Sequence, residues 1–331
     1  MTLSERFIEK HIAKWEQNLR SKFRPYREKW PSRLFHHAPI DNAVKILKDG
    51  NLRSRNDPAN KRSQDVAAAG VIDSRSHAHN SARLYFRPRT PTQWHIEGIR
   101  KPGECSYGEA AHAPILIMMI FDARAVLKRE GIQFCDRNMQ LGSAATGDDK
   151  EYFKEIPFEK VYHEGPINGD RSIIDHRCAE VLAVSPLPLD QTLQWIYCRT
   201  IAERNSLLHL LGSDARKWMR RIQISDDLLV FERKYVFVDE VSIDNNGLVA
   251  KFSPRQDRQD VDIQVRVTAD DGSLKVDFRN NAMPAMPPPP STSTKWRFRG
   301  KLSDGIYLVE IFVEGHRAYI SNMVVGEDVL F

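Results

Sequence analysis

Near residue 234 the apolar residues of this chain switch from helical and mixed spacing to strict alternation. From there on, Tyr235–Phe237, Val241–Ile243, Val249–Phe252, Val261–Val267, Leu274–Phe278, Trp296–Phe298, Tyr307–Phe312 and Ala318–Val324 repeat with period two. Turn residues such as Asn245-Asn246-Gly247 and Asp270-Asp271-Gly272 separate them. That spacing predicts an antiparallel sandwich or barrel, with a Pro/Ser/Thr loop over residues 281–294 inside it.

Before the switch the signals alternate between helix and strand. Phe7, Ile8, Ile12, Trp15 and Leu19 predict an amphipathic helix over residues 3–23, stopped near Pro25. Asp41–Lys48 predicts a second helix, closed by Gly50 in a left-handed cap. Residues 53–65 read as a loop, Val66–Asp73 as a short helix and Leu84–Phe86 as a short strand. Ile115–Phe121 is the best central strand, followed by a short helix over Asp122–Glu130. Residues 138–175 read as loops, Val181–Val184 as a strand, and Asp190–Ile196 and Ile201–Arg221 as helical. The chain of 331 residues therefore reads as an α+β domain, residues 1–234, and a β-rich accessory domain, residues 235–331.

With 41% hydrophobic and 28% charged residues, global disorder is excluded. No apolar run reaches the length of about 18 residues that a membrane helix needs. The N-terminus lacks the apolar core of a signal peptide. The four cysteines (Cys105, Cys135, Cys178, Cys198) contain no CxxC, so neither a disulfide framework nor a zinc site is indicated, and no metal is expected. A cytoplasmic protein without a membrane is the expectation. Residues 1–33 carry nine Lys/Arg against four Glu, while the remaining residues are neutral. A second basic group is Arg216, Lys217, Arg220, Arg221. A basic arm on a neutral body suits a polyanion partner; from charge alone, a solvated helix face serves as well.

No phosphate-loop, dinucleotide, zinc-protease, hydrolase or kinase fingerprint occurs. Four local blocks remain: Phe35-His36-His37-Ala38-Pro39-Ile40-Asp41-Asn42 with Ile46-Leu47, Gly50 and Leu52; Ile72-Asp73-Ser74-Arg75; Leu84-Tyr85-Phe86-Arg87-Pro88-Arg89-Thr90-Pro91; and Ala179-Glu180-Val181-Leu182-Ala183. Taken in order and at these spacings, over roughly residues 33–230, they resemble the DarT family. Its members are ADP-ribosyltransferases that use NAD⁺ to modify bases of single-stranded DNA, and are toxins paired with a macrodomain antitoxin, DarG.

The resemblance implies an ADP-ribosyltransferase-like fold with a split, mixed β-core. It implies NAD⁺ as co-substrate, single-stranded nucleic acid as acceptor (DNA favoured over RNA) and an antitoxin partner of macrodomain type. It places the catalytic pair on Glu180 and Arg75, and NAD⁺ binding on His36, Asn42, Leu52 and Tyr85. Arg137 and Asn138 fall beside the nucleic-acid target; Arg87 and Arg89, read as sharing one strand face, either bind nucleic-acid phosphates or only solvate an edge. The segment from Tyr162 to Arg177 takes the place of the loop that reads the target. Two departures stand out. Ala38 and Pro39 replace a threonine and a histidine of the family's opening block, and Asn138 replaces a histidine beside the target, so thymine, guanine and an RNA base all stay open.

The residue types suit the chemistry. Cleaving the nicotinamide–ribose bond leaves an oxocarbenium-like C1″, which a neighbouring carboxylate such as Glu180 stabilises. The same carboxylate is placed to take the proton of the attacking base nitrogen, and a guanidinium at Arg75 forks onto phosphates or polarises the base. Three rivals stay open: the same chemistry on RNA, a non-catalytic nucleic-acid-binding protein, and transfer to a protein.

Overall fold

Ser4 shows why the first helix starts where it does. Its hydroxyl accepts from the Phe7 N–H at 3.4 Å, satisfying one of the free donors of the first turn. The computed structural model describes residues 2–63, 79–101, 103–105, 108, 111–139, 141, 144–253, 255–257, 259–283 and 294–326. Helix α1 spans Glu5–Leu19 and ends earlier than the predicted residue 23, because Arg20 already leaves helical backbone (ψ 124°). It buries Ile8, Ile12 and Leu19. Helix α2 spans Ile40–Asp49 and is closed, as expected, by Gly50 at φ 74°.

The chain divides into two compact units. The first comprises Met1–Ile96, Ile117–Tyr197 and Ser225–Glu232; the second comprises Glu97–Leu116, Cys198–Ile224 and Arg233–Phe331. The strands in chain order begin with β1 (Arg33–Pro39), β2 (Asn51–Leu52), β3 (Ser81–Tyr85), β4 (Leu116–Asp122) and β5 (Gln133–Cys135). They continue with β6 (Thr146–Gly147), β7 (Glu180–Val184), β8 (Leu187–Pro188), β9 (Leu193–Cys198) and β10 (Ile222–Ile224). The first unit holds a sheet in the order β9-β4-β1-β3-β7-β5-β6. Leu116 to Phe121 of β4 are all buried, so both sheet faces are covered there, which is why this segment reads as continuous apolar sequence. The small pair β2–β8 stands apart.

Two stretches differ from the sequence reading. Residues 138–175, expected as loops, contain β6 and the short helices Lys150–Glu155, Phe158–Val161 and Ser172–His176. Phe153, Phe158, Val161 and Tyr162 are buried there, and the three rings meet α1: Phe7 on Phe153, His11 on Phe158 and Trp15 on Tyr162. Aromatic packing, not helical periodicity, holds these single turns. Asp190–Ile196, expected as helix, is one turn (Leu189–Thr192) followed by β9, which pairs with β4. The predicted helix Val66–Asp73 lies outside the described residues, as does most of the Pro-rich loop.

The second unit is β-rich. Its strands are β11 (Phe237–Asp244), β12 (Gly247–Ser253), β13 (Val261–Ala269), β14 (Leu274–Met283), β15 (Thr294–Arg299), β16 (Gly305–Val313) and β17 (His316–Val325). They form two antiparallel sheets, β11-β12-β15 and β14-β13-β16-β17, around one apolar cluster that includes Leu248, Val265, Val309 and Tyr319. The helix Ile201–Leu211 lies on β17, where Ser206 accepts from the Ile320 N–H and His209 from the Asn322 N–H. Among the described residues no helix is long and apolar enough to cross a membrane.

Candidate active site

The site lies on three adjacent strands of the first unit. In β3 the burial alternates, with Ala82 and Leu84 inside and Ser81, Arg83 and Tyr85 on the other face. Antiparallel pairing places Tyr85 opposite Phe35 of β1 on one side and opposite Glu180 of β7 on the other. On its far side Glu180 is opposite Cys135 of β5.

Glu180 is 1% exposed. Arg83 grips it with a two-point fork, Nε to Oε2 and Nη2 to Oε1, each at 2.5 Å. Burial works against the charge on Arg83, but the facing Glu180 outweighs it and holds the guanidinium pKa above its ordinary value. A carboxylate has about four lone-pair directions. The fork uses two of them, fixes the group's orientation and leaves others for a sugar hydroxyl or a base. Burial keeps the neighbouring Cys135 thiol protonated, its pKa pushed up to about 11. It keeps the Tyr85 phenol neutral in the same way, with the Glu180 charge adding to the effect.

His36 and His37 follow each other in β1 and act differently. His36 Nδ1 lies 3.0 Å from the Arg83 carbonyl oxygen. That oxygen only accepts, so Nδ1 carries the hydrogen. Burial lowers the His36 pKa to about 4, so the ring is neutral and Nε2 offers a lone pair. His37 stacks on Tyr85, with ring centroids 5.4 Å apart and planes 1° from parallel.

His36, His37 and Arg83 form part of the wall of a cleft of about 700 Å³, within the usual range for a small-molecule site. His36, His37, Asn42, Ile46, Leu52 and Arg83 line it. So do the cations Lys45, Lys48, Arg53, Arg55, Lys61 and Arg62, with Asp49 as the acid among them. Such a wall suits an anionic ligand with an apolar ring system; a dinucleotide diphosphate fits that description. Asn42 is fixed by accepting from the Ser63 N–H at 2.8 Å. Leu52 is buried on β2.

Of the residues singled out from sequence, His36, Asn42 and Leu52 line the cleft, while Tyr85 and Glu180 lie beside Arg83 in the strands behind it. Arg75 lies outside the described residues. Arg87 and Arg89 do not lie on a strand face. Strand β3 ends at Tyr85, and Arg89 adopts a left-handed backbone (φ 52°). Arg87 is buried, donating to the carbonyls of Pro88 and His163 and pairing with Glu164. Arg89 also pairs with Glu164. Arg137 forks onto its neighbour Asp136, and the Asn138 N–H donates to the Asp175 carbonyl. Sequence reasoning missed Arg83. The signal was available: it stands two residues before Tyr85 and so shares its strand face. Among the described residues no group of three or more His, Cys, Asp or Glu is arranged to hold a metal ion.

Comparison with known proteins adds the class. The family model described as "ssDNA thymidine ADP-ribosyltransferase, DarT" matches residues 35–229. The chain belongs to the DarT family of ADP-ribosyltransferases. Among solved structures, Thermus sp. 2.9 DarT in complex with ADP-ribosylated ssDNA is 20% identical, with TM-score 0.48, covering 60% of this chain and 96% of that one. The same protein in complex with NAD⁺ is 20% identical, with TM-score 0.45, covering 60% and 97%. Thermosipho africanus DarTG in complex with ADP-ribose is 16% identical, with TM-score 0.41, covering 61% of this chain and 52% of that one. No curated protein matches the chain. The family match ends before the strands from Phe237 onward.

Proposed function

We propose that this protein transfers ADP-ribose from NAD⁺ to a thymidine base of single-stranded DNA. The observation that carries the reading is that Arg83, part of the cleft wall, holds the buried Glu180 by both carboxylate oxygens. NAD⁺ lies in the cleft with its diphosphate toward the lysines and arginines and its nicotinamide ribose toward His36 and Glu180. The bond between nicotinamide and C1″ breaks, and its electrons leave with neutral nicotinamide. Glu180 stabilises the positive charge that develops on the ribose. A base nitrogen then bonds to C1″ and gives its proton to Glu180. Holding donor and acceptor together supplies the orientation term.

In this reading Glu180 and Arg75 are the catalytic residues, and His36, Asn42, Leu52 and Tyr85 form the NAD⁺ pocket. Arg137 and Asn138 contact the nucleic acid, and Arg87 and Arg89 shape the segment beside it. Residues 235–331 are an accessory domain. The biological setting is a cytoplasmic toxin restrained by an antitoxin of macrodomain type, in keeping with the DarTG pair of Thermosipho africanus.

The test is incubation of the full chain with labelled NAD⁺ and matched oligonucleotides: ssDNA with thymidine, ssDNA without it, and RNA. Label on the thymidine-containing DNA, absent with Glu180→Ala, is the expected result. Label on RNA or on protein, or on none of these, overturns the reading.

A further inference from the structure

Phe23 is 95% exposed, while Phe35, Phe86, Phe121, Phe134 and Phe153 of the same unit are buried. Its neighbours are Arg20, which pairs with Glu28 at 3.3 Å, Lys22 and Arg24. Lys22 is exposed as well. This turn is held in place on both sides. Upstream, α1 is packed by its aromatic and aliphatic face. Downstream, Arg24 donates to the Glu164 carbonyl at 3.0 Å, the Tyr26 hydroxyl to the Glu164 carboxylate at 2.6 Å and Arg27 to the Tyr162 carbonyl at 2.8 Å.

The segment it is held against, residues 162–165, also receives Arg87, Arg89 and Arg177. Five guanidiniums therefore converge there around the carboxylate of Glu164, with Glu232 as a further negative charge acting on Arg87 and Arg177. His163 registers the surplus: burial lowers its pKa, and repulsion from Arg177, Arg27, Arg87 and Arg24 lowers it further. In sequence the group adjoins the strands of the site. Arg87 and Arg89 follow directly on β3, which carries Arg83 and Tyr85, and Arg177 precedes Glu180 by three residues. Residues 1–34 lie outside the part matched by the family model.

We propose that Phe23 is a stacking platform for an unpaired base of the DNA strand on one side of the modified nucleotide, with the flanking cations holding that strand's phosphates. The inference rests on the reading of the protein as a transferase acting on single-stranded DNA. An aromatic face takes any base without hydrogen-bond readout, and cations beside it follow the backbone. A membrane surface also attracts an aromatic among cations. However, one phenylalanine offers too little apolar area for anchoring, and the apolar face of the preceding helix α1 is already buried in the fold.

The experiment compares full-length wild type with Phe23→Ala and Phe23→Trp. A fluorescein-labelled single-stranded oligonucleotide with one thymidine reports affinity without NAD⁺ and KM and kcat with it. Loss of one base stack corresponds to a rise of roughly 5- to 100-fold in Kd and KM for the oligonucleotide in Phe23→Ala. kcat at saturating oligonucleotide, KM for NAD⁺ and the thermal midpoint are expected to stay within twofold or a degree, and Phe23→Trp to restore affinity. The proposal is overturned if Phe23→Ala binds the oligonucleotide as tightly as wild type or Phe23→Trp is as weak as Phe23→Ala. It is equally overturned if Phe23→Ala loses only binding to phosphatidylserine vesicles. If wild type labels no DNA, the functional reading fails, and the NAD⁺-free affinities still decide the role of Phe23.

Discussion

Arg83 meets Glu180 across two antiparallel strands with both arms of its guanidinium, at 2.5 Å on each side. The carboxylate is therefore aimed before any ligand arrives. Arg83→Lys keeps a charge but presents one point where the site needs a fork. We expect kcat to fall by about 100-fold or more, the size of a lost preorganised electrostatic partner. Steady-state kinetics with saturating NAD⁺ and DNA check this; a Lys variant within threefold of wild type would show that the fork is dispensable.

His36 is neutral because it is buried, and its Nδ1–H is committed to the Arg83 carbonyl. Its Nε2 is thus available to NAD⁺ as an acceptor. His36→Ala is expected to raise KM for NAD⁺ by about 10-fold, the worth of one hydrogen bond. In wild type, that KM should be flat from pH 8 down to about pH 5 and rise as His36 protonates near its pKa of about 4. An ordinary histidine would produce the break near pH 6.5, so the position of the break separates the two.

Several buried histidines make stability depend on acid, His112, lowered by burial to about 4, among them. Burial lowers His11 to about 3, His36 to about 4 and His37 to about 3. Unfolded, each binds a proton near pH 6.5, so the unfolded state holds more protons below that pH. Stability is then complete above about pH 6.5 and declines as pH falls toward 3. Each histidine contributes at most about 1.4 kcal/mol per pH unit in that window. Urea unfolding at pH 7, 6 and 5 measures it, and His11→Phe, which keeps the ring packing on Phe158, should flatten the decline.

Glu164 anchors Tyr26, Arg87 and Arg89 at once. Removing its charge takes from the buried Arg87 the carboxylate it pairs with, leaving only the weaker influence of Glu232. Glu164→Gln is therefore expected to cost about 3 kcal/mol or more, as other broken buried pairs do. Arg89→Ala, at a more accessible partner, should cost less. Chemical denaturation of both variants tests the order.

Gly247 closes the β11–β12 turn at φ 117°, and a Cβ there would sit 2.2 Å from the Phe298 carbonyl oxygen. Gly247→Ala has neither the space nor the backbone, so a loss of at least about 2 kcal/mol is expected. The thermal midpoint of the second unit's unfolding transition reports it.

Much of this was legible in sequence where a local rule decides the outcome. Gly50 and the apolar run of β4 follow from left-handed backbone and two-sided burial, whereas the helix predicted from residue 3 starts only after its cap, Ser4. The alternation after residue 234 became two sheets. Glu180 stood out only through the family resemblance; an acid at the entry of an apolar strand reads, by itself, as a strand-entry charge. What escaped depends on partners distant in sequence. Arg83 looks like any strand arginine until β7 brings Glu180 beside it. Arg87 and Arg89 continue the alternation on paper, but Pro88 lacks an N–H and Arg89 turns left-handed, so the strand stops and Arg87 goes inside. The short helices Lys150–Glu155 and Phe158–Val161 have too few residues for periodicity and are held where Phe153, Phe158 and Tyr162 meet α1.

The helix Ile201–Leu211 occupies one outer border of the four-stranded sheet, and two of its side chains take amides of β17 that would otherwise face outward. A free strand border is a template on which another polypeptide can lengthen the sheet. With that border occupied, newly made copies crowded together cannot zip onto one another along β17. Shaving off Ser206 and His209 would leave each molecule's chemistry intact while making it prone to clump with its siblings.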